Sequence, residues 1–233
     1  KPTANVAVGL KSSNTSEGKV SGAVSNTKTL TFTSTNWNAE QLVTLLGVDD
    51  NVSDGDQGYR ILLSPDNVTA DLNYRHLDPP DVMVSNVDDE SAGFTMTINS
   101  YTSESGVIST IKLKLNSQPT AGVTIGVASS KPTEGKITSI SSGGTDNVSF
   151  TTSDWNSYKS ILITGQDDNV SDGDQAYIVE LTADTTTSDF RYRNRDPADV
   201  QLINLDNDVA GFFVSAVSGD TSEGGGTASF LVR

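Results

Sequence analysis

The stretch Asp49-Asp50-Asn51-Val52-Ser53-Asp54-Gly55-Asp56-Gln57 occurs twice in this chain, and its second copy, Asp167 to Gln175, begins 118 residues later. Each copy follows one run of alternating apolar residues and precedes another. Alternation with a period of two is typical of β-strands, so each copy is predicted to be a loop between two strands. Four carboxylates within eight residues repel one another unless a cation lies among them.

The repeat extends far beyond this loop. Self-comparison gives a period close to 118 residues, with small insertions that change the spacing by one residue in places. The matched pairs include Trp37 and Trp155, Tyr59 and Tyr177, and Tyr74 and Tyr192 at 118, Glu17 and Glu134 at 117, and Glu104 and Glu223 at 119.

Only the second repeat is complete. It contains seven short segments of period-two alternation, separated by turn residues and without helical periodicity. This pattern predicts an all-β fold of tandem antiparallel seven-stranded β-sandwiches of the immunoglobulin-like type. The predicted strands are 94–98, 107–115, 122–128, 148–151, 158–164, 176–181 and 199–205.

The first repeat begins at the third of these strands. We therefore expect residues 1–88 to form a sandwich without its first two strands, and residues 89–206 to form a complete one. Residues 207–233 would be the first two strands of a following domain. Two interpretations remain open: the chain is a piece of a longer tandem array, or its tail completes the N-terminal sandwich of the next subunit by strand addition at an open edge. Both give a linear string of domains.

Strand direction predicts where the acidic residues gather. Because consecutive strands of an antiparallel sandwich alternate in direction, the acidic loops of each repeat all fall at the same pole. In the second repeat these residues are Glu104, Glu134, Asp167, Asp168, Asp172, Asp174, Asp206 and Asp208. In the first repeat they are Glu17, Asp49, Asp50, Asp54, Asp56, Asp88, Asp89 and Glu90, and Glu223 would supply the missing loop between the first two strands.

Carboxylate oxygens from several loops favour Ca²⁺ as the bound ion. Ca²⁺ takes six to eight oxygen ligands, whereas Mg²⁺ prefers fewer protein ligands in a tighter octahedron. The chain has no Cys, and the single His lies outside the cluster, which argues against Zn²⁺ or copper. The alternative is that these acidic loops are only solvated and keep the protein soluble.

Composition excludes several other functions. A formal net charge of -15 argues against nucleic acid or an anionic membrane as a partner, and no apolar run is long enough to insert in a bilayer. His76 has Asn194 as its repeat counterpart, so no nucleophile site built on His or Cys is expected. Paired carboxylates could suggest a glycosidase, but these lie on loops without an apolar pocket. We expect that the chain is not an enzyme and that it is part of a longer secreted polypeptide.

The chain resembles the Calx-beta family over essentially its whole length. The resemblance rests on the run from Phe150 through Trp155 to Asp168, on Asp172 to Tyr177, and on Thr102-Ser103-Glu104. The same motifs recur at Leu30 to Tyr59 and at Thr221 to Gly224. The resemblance implies a Ca²⁺-binding role for Glu104, Asp167, Asp168, Asp172, Asp174, Asp206 and Asp208. Within the family, the chain is most similar to the repeats of long bacterial surface proteins.

The sequence therefore predicts a structural calcium-binding repeat segment of an extracellular bacterial surface filament or adhesin. Its partners would be copies of itself arranged end to end, its cofactor Ca²⁺, and its location the cell surface; the ligand of any adhesin remains open. A regulatory calcium-sensing module is one alternative, but near-identical tandem copies favour spacing over sensing. A carbohydrate-binding accessory module is another, and it would require an exposed planar row of aromatic residues.

Overall fold

The computed structural model describes all residues from Lys1 to Arg233, and every regular element in it is a β-strand. This composition of fifteen strands confirms the predicted all-β class. The chain divides into two compact units. Unit 1 comprises Lys1–Ala92 with Asn116–Gln118, and unit 2 comprises Gly93–Leu115 with Pro119–Arg233. No helix long and apolar enough to cross a membrane is present.

Unit 1 has six strands in two sheets. The larger sheet has the order β3-β1-β5-β6 and is antiparallel throughout, and the smaller sheet pairs β2 with β4. Leu10, Val20, Tyr59 and Ile61 form its buried core. The strands are β1 (Val6–Ser12), β2 (Gly18–Val20), β3 (Lys28–Phe32), β4 (Leu45–Gly47), β5 (Gln57–Pro65) and β6 (Val82–Asn86).

Unit 2 has nine strands and forms a two-layer sandwich. Its strands are β7 (Phe94–Ile98), β8 (Tyr101–Ser103), β9 (Ile108–Leu115), β10 (Val123–Ser129), β11 (Gly135–Ile140), β12 (Asn147–Phe150), β13 (Lys159–Gly165), β14 (Gln175–Ala183) and β15 (Val200–Leu205). One sheet has the order β12-β10-β14-β15-β8, and the other has the order β11-β13-β9-β7. All pairings are antiparallel except that of β8 with β15, which is parallel.

The alternation of residue types places the core between these two sheets. On β9, Ile111, Leu113 and Leu115 are fully buried, while Lys112 between them is exposed. Ile111 lies opposite Ile161 on β13, which is also fully buried. A strand that packs one face on a core requires this period of two, so the pattern fixes the register as well as the strand.

All seven predicted strands of this repeat are present, but the expected number of seven is too small. Strand β11 lies between the predicted strands 122–128 and 148–151, in a Ser/Gly-rich stretch where no strand was predicted. A register shift between Ile137 and Ser139 interrupts its alternation, and this irregularity hides the strand from a period-two search. Strand β8 is only three residues long, and it carries the chain across from the sheet of β7 to that of β15.

The backbone at the start of β11 passes so close to the Tyr177 ring that residue 135 has to be glycine. A Cβ atom on Gly135 would overlap the buried ring of Tyr177, whose hydroxyl lies 3.0 Å from the Thr102 hydroxyl. We expect Gly135→Ala to lower the free energy of unfolding by about 1–3 kcal/mol, because the buried ring of Tyr177 would have to shift. Chemical denaturation measures the effect.

Gly126→Ala is the matched control for this substitution. Its Cβ would lie 3.6 Å from the Thr182 carbonyl oxygen, which is an ordinary contact. If both alanine variants unfolded at the same denaturant concentration, the close approach to Tyr177 would not be the constraint.

A buried aspartate fastens the start of each sandwich. Asp71 Oδ2 accepts hydrogen bonds from the Thr3 amide at 2.6 Å and from the Thr3 hydroxyl at 2.9 Å. Asp189 makes the same two bonds to Thr120 in unit 2 and is 1% exposed. The bond from the Thr3 amide is the main cause that lowers the pKa of Asp71 to about 2.

This aspartate is expected to make unit 1 acid-sensitive. Because the pKa of Asp71 is lower in the folded chain than its ordinary value of 3.8, its contribution is complete above about pH 4 and is lost as the pH falls through about 2. Asp71→Asn should therefore be less stable than the parent at pH 7, with a difference that shrinks toward pH 2. Urea midpoints at several pH values test this, with the exposed Asp78→Asn as the control. A difference that stayed constant with pH would contradict it.

Candidate metal centre

The acidic loop of unit 1, residues 49–57, folds back on the end of β6. Asp50 Oδ1 accepts a hydrogen bond from the Val52 amide at 2.7 Å, which turns the chain. Gly55 has a φ of 77°, a conformation that glycine adopts without strain, and its amide donates to Asp88 Oδ2 at 2.5 Å. The Asp88 amide in turn donates to Asp56 Oδ1 at 3.1 Å.

The loop of unit 2, residues 167–175, has the same conformation. Asp168 Oδ1 accepts from the Val170 amide at 2.6 Å, and Gly173 again has a φ of 77°. The Gly173 amide donates to Asp206 Oδ2 at 2.7 Å, and the Asp206 amide donates to Asp174 Oδ1 at 3.1 Å. The repeated sequence therefore builds the same polar connection between loop and final strand twice.

In unit 1 these connections surround an open cavity of about 430 Å³. Carboxylate oxygens of Asp49, Asp89 and Glu90 all lie within 4.8 Å of one another. Glu17 is 9% exposed and accepts a hydrogen bond from Asn86 Nδ2 at 3.3 Å. The carboxylate residues that line the cavity are Glu17, Asp49, Asp50, Asp54, Asp88, Asp89 and Glu90.

In unit 2 the corresponding cluster is centred on Glu104, which follows β8. Carboxylate oxygens of Glu104, Asp206 and Asp208 all lie within 4.8 Å of one another. The Asn207 amide donates to Glu104 Oε2 at 3.1 Å, and the Asn207 side chain donates to Asp167 Oδ1 at 3.3 Å. The segment after β15 is thus held between the loop of residues 167–175 and Glu104.

The pKa of Glu104 depends on a hydrogen bond, on burial and on the like charges of this cluster. The hydrogen bond from the Asn207 amide favours the charged form. Burial and the negative charges of Asp206, Asp168 and Asp208 outweigh that bond and raise the pKa of Glu104 above its usual range. The fold therefore holds the Glu104 carboxylate in a place where its charged form is less favourable than in water.

Asp208 is the member of the cluster with a buried carboxylate oxygen that accepts no hydrogen bond. Burial, followed by the negative charges of Asp206, Asp167 and Asp168, raises its pKa. Its Oδ2 atom is buried and has no hydrogen-bond donor. A buried carboxylate oxygen without a donor is costly, and a cation bound between Asp208 and its neighbours would remove both the repulsion and the missing interaction.

The two groups of three clustered carboxylates contain six of the seventeen predicted site residues. Glu134 and Glu223 are among the residues outside both groups. Glu134 is half-buried after β10, and its backbone carbonyl accepts from the Gln166 amide at 2.8 Å. Glu223 lies in an exposed turn near the C-terminus, and Asp172 is exposed in its loop.

An asparagine that the sequence analysis did not consider supports each cluster. Asn204 is 1% exposed; its Nδ2 donates to the Gln166 carbonyl at 3.0 Å, and its Oδ1 accepts from the Thr102 hydroxyl at 3.0 Å. Asn86 donates to the Val48 carbonyl at 2.9 Å in unit 1. The sequence did contain a signal for Asn204. It holds an inward-facing position of β15, and the other inward-facing positions of this strand are Val200 and Leu202.

The donor set fits a hard cation. The clusters offer only carboxylate and amide or carbonyl oxygens, from a loop, a final strand and a glutamate on a separate element, and neither contains His or Cys. This is the chemistry that Ca²⁺ prefers, and the spread of ligands over three elements is compatible with its high and variable coordination number.

No protein-family model and no curated protein matches the chain. Among solved structures it is similar to CBD12 from CALX1.2, with 12% identity, 88% of each chain covered and a TM-score of 0.35. It is also similar to the calcium binding domain CBD12 of CALX1.1, with 10% identity, 87% of each chain covered and a TM-score of 0.35. Domains 4 and 5 of the S-layer protein SbsC share 11% identity over 64% of this chain and 65% of theirs, with a TM-score of 0.32.

Proposed function

We propose that this chain is a structural calcium-binding segment of an extracellular bacterial surface filament or adhesin, built from Calx-beta-like sandwiches that follow one another in a linear string. The observation that carries the proposal is the buried Oδ2 of Asp208, which has no donor and lies beside Glu104 and Asp206. The carboxylates in this proposal hold a cation and carry out no chemistry.

The position of the clusters supports a mechanical role. In each unit the cluster includes the segment through which the chain leaves the final strand, Asp88 to Glu90 in unit 1 and Asp206 to Asp208 in unit 2. A cation bound there would tie this segment to the acidic loop of its own sandwich. Without the cation, repulsion among the carboxylates would favour release of the segment.

An extracellular location is consistent with the charge. A net charge of -15 keeps a surface protein soluble. Calcium-binding modules outside cells have dissociation constants of about 10⁻⁴–10⁻³ M, so an open cluster of this kind suits that compartment.

Calcium should raise the thermal stability of the chain. A ligand that binds only the folded state adds about 2.7 kcal/mol at a free concentration of 100 times its Kd. We expect calorimetric melting in Ca²⁺ to give a higher Tm than melting in chelator, with a smaller effect of Mg²⁺. Coincident transitions in Ca²⁺ and in chelator would count against the proposal.

Substitution in the unit 2 cluster should weaken one site and spare the other. We expect Glu104→Gln combined with Asp208→Asn to reduce the affinity of the unit 2 site for Ca²⁺ at least tenfold, because two negative ligands are lost. Isothermal titration calorimetry would then show fewer tight sites. Glu180→Gln removes a charge from an exposed position on β14 and should bind Ca²⁺ like the parent. Equal binding by all three proteins would place the ion elsewhere.

A further inference from the structure

One sheet of unit 2, with the order β11-β13-β9-β7, differs in charge from the chain as a whole. Acidic residues outnumber basic residues by 30 to 15 in the sequence, yet these four strands contain four lysines and no Asp or Glu. The five strands of the opposite sheet contain one Glu and no Lys or Arg. Positive charge in the strands of unit 2 is therefore concentrated on a single sheet.

Strand pairing places three of these lysines on the outward face of the sheet. On β9, Lys112 and Lys114 alternate with fully buried leucines, so both point away from the core. Lys136 on β11 lies opposite Thr164 of β13, which in turn lies opposite the exposed Ile108 of β9. We call this outward surface of the four strands the basic face.

The three lysines of the basic face have no carboxylate partner. Of the four lysines in the sheet, only Lys159 forms an ion pair. The Lys114 ammonium lies 5.4 Å from the centroid of the Tyr158 ring, a cation–π contact that does not cancel its charge. Lys112 and Lys136 are exposed. The fold thus presents three positive charges to solvent on a surface without a negative one.

Hydroxyl, amide and apolar groups surround Lys112. A cavity of about 270 Å³ is lined by this lysine with Thr97, Ile98, Asn99 and Thr110. Thr97 lies directly opposite Lys112 in the sheet, so a carboxylate bound to the ammonium would lie beside a hydroxyl. Ile98 is 44% exposed and gives the cavity an apolar wall. A sugar acid has the matching groups, which are a carboxylate, hydroxyls and an apolar C–H surface.

The positions of the lysines favour a linear ligand. Lys112 and Lys114 are two residues apart on one strand, which is about 7 Å. Lys136 lies two strands away from β9, about 10 Å to the side, and the three lysines span roughly 20 Å along a diagonal of the sheet. An extended polymer with negative charges at intervals can contact all three, whereas a single small anion cannot.

The composition of the basic face disfavours a protein as the partner. Interfaces between proteins are enriched in aromatic residues, Met and Arg, and are depleted in Lys and Ser. The four strands contain no Arg, Trp or Tyr. Their outward residues are mostly Lys, Thr and Ser, and these groups suit hydrogen bonds and ion pairs with a polar polymer.

Screening allows a positive face to act in a negative chain. The Debye length is about 8 Å at physiological ionic strength. Glu104 of the acidic cluster precedes β9, and Lys112 lies about 13 Å along β9 from its first residue, Ile108. A ligand beside Lys112 is therefore largely screened from that cluster. Duplex nucleic acid, with one charge per about 1.7 Å, would meet far stronger repulsion from the whole chain than a polymer with one charge per sugar or disaccharide.

We propose that the basic face of unit 2 binds a linear polysaccharide that carries carboxylate groups. The ammonium groups of Lys112, Lys114 and Lys136 pair with carboxylates, and the threonine hydroxyls form hydrogen bonds with sugar hydroxyls. This adds a ligand to the surface protein of the proposed function, but binding requires neither the metal clusters nor a second copy of the chain.

Calorimetric titration with polygalacturonate oligosaccharides in chelator tests the proposal. We expect saturable binding at about 50 mM salt that weakens at least threefold at about 200 mM salt, because ion pairs are screened. The methyl ester of the same oligosaccharides keeps the sugar backbone without its charge and should not bind. No binding of the acid at low salt, or equal binding of acid and ester, would overturn the proposal.

Paired substitutions locate the binding surface. Lys112→Gln combined with Lys114→Gln should weaken polygalacturonate binding at least tenfold. The matched control, Lys11→Gln with Lys131→Gln, removes the same charge from exposed positions outside the basic face and should bind like the parent. Equal losses in the two variants would show that net charge, and not this face, governs binding. If the first variant does not fold, the exposed Lys112→Gln alone should still weaken binding at least threefold.

Poly-L-glutamate at the same carboxylate concentration tests an acidic polypeptide as the occupant. We expect it to bind more weakly, because its side chains offer no hydroxyls to the threonines. Equal or tighter binding of poly-L-glutamate would assign the face to an acidic protein and overturn the proposal. Because every titration is made in chelator, its failure is independent of the calcium-dependent melting that tests the proposed function.

Discussion

Repulsion among carboxylates at one pole of each sandwich is the constraint on which the rest of the structure depends. Antiparallel alternation brings the acidic loop, the exit segment and a glutamate from a separate element to the same place, whatever their distance in sequence. Backbone amides compensate some of these charges: the Asp208 and Gly173 amides lower the pKa of Asp206. They do not reach Asp208 Oδ2, so this buried carboxylate oxygen has no hydrogen-bond donor.

The same short strand links this pole to the hydrophobic core. Thr102 on β8 is fully buried, and its hydroxyl lies within 3.0 Å of both the Tyr177 hydroxyl and Asn204 Oδ1. Two residues later the chain reaches Glu104. The segment of β8 and Glu104 therefore supplies a carboxylate to the pole and also pairs with β15 in the sandwich. A change that displaces β8 would disturb both the acidic cluster and the packing of the core.

Apolar alternation was enough to predict seven of the nine strands of unit 2, and the alternating direction of those strands predicted one pole for the acidic loops. It could not reveal β11, whose alternation is broken by the register shift after Ile137, nor β8, which is too short to show a period. A buried aspartate was equally hidden. Asp189 is polar in sequence, and only its backbone partner Thr120, which is distant along the chain, shows that it belongs inside.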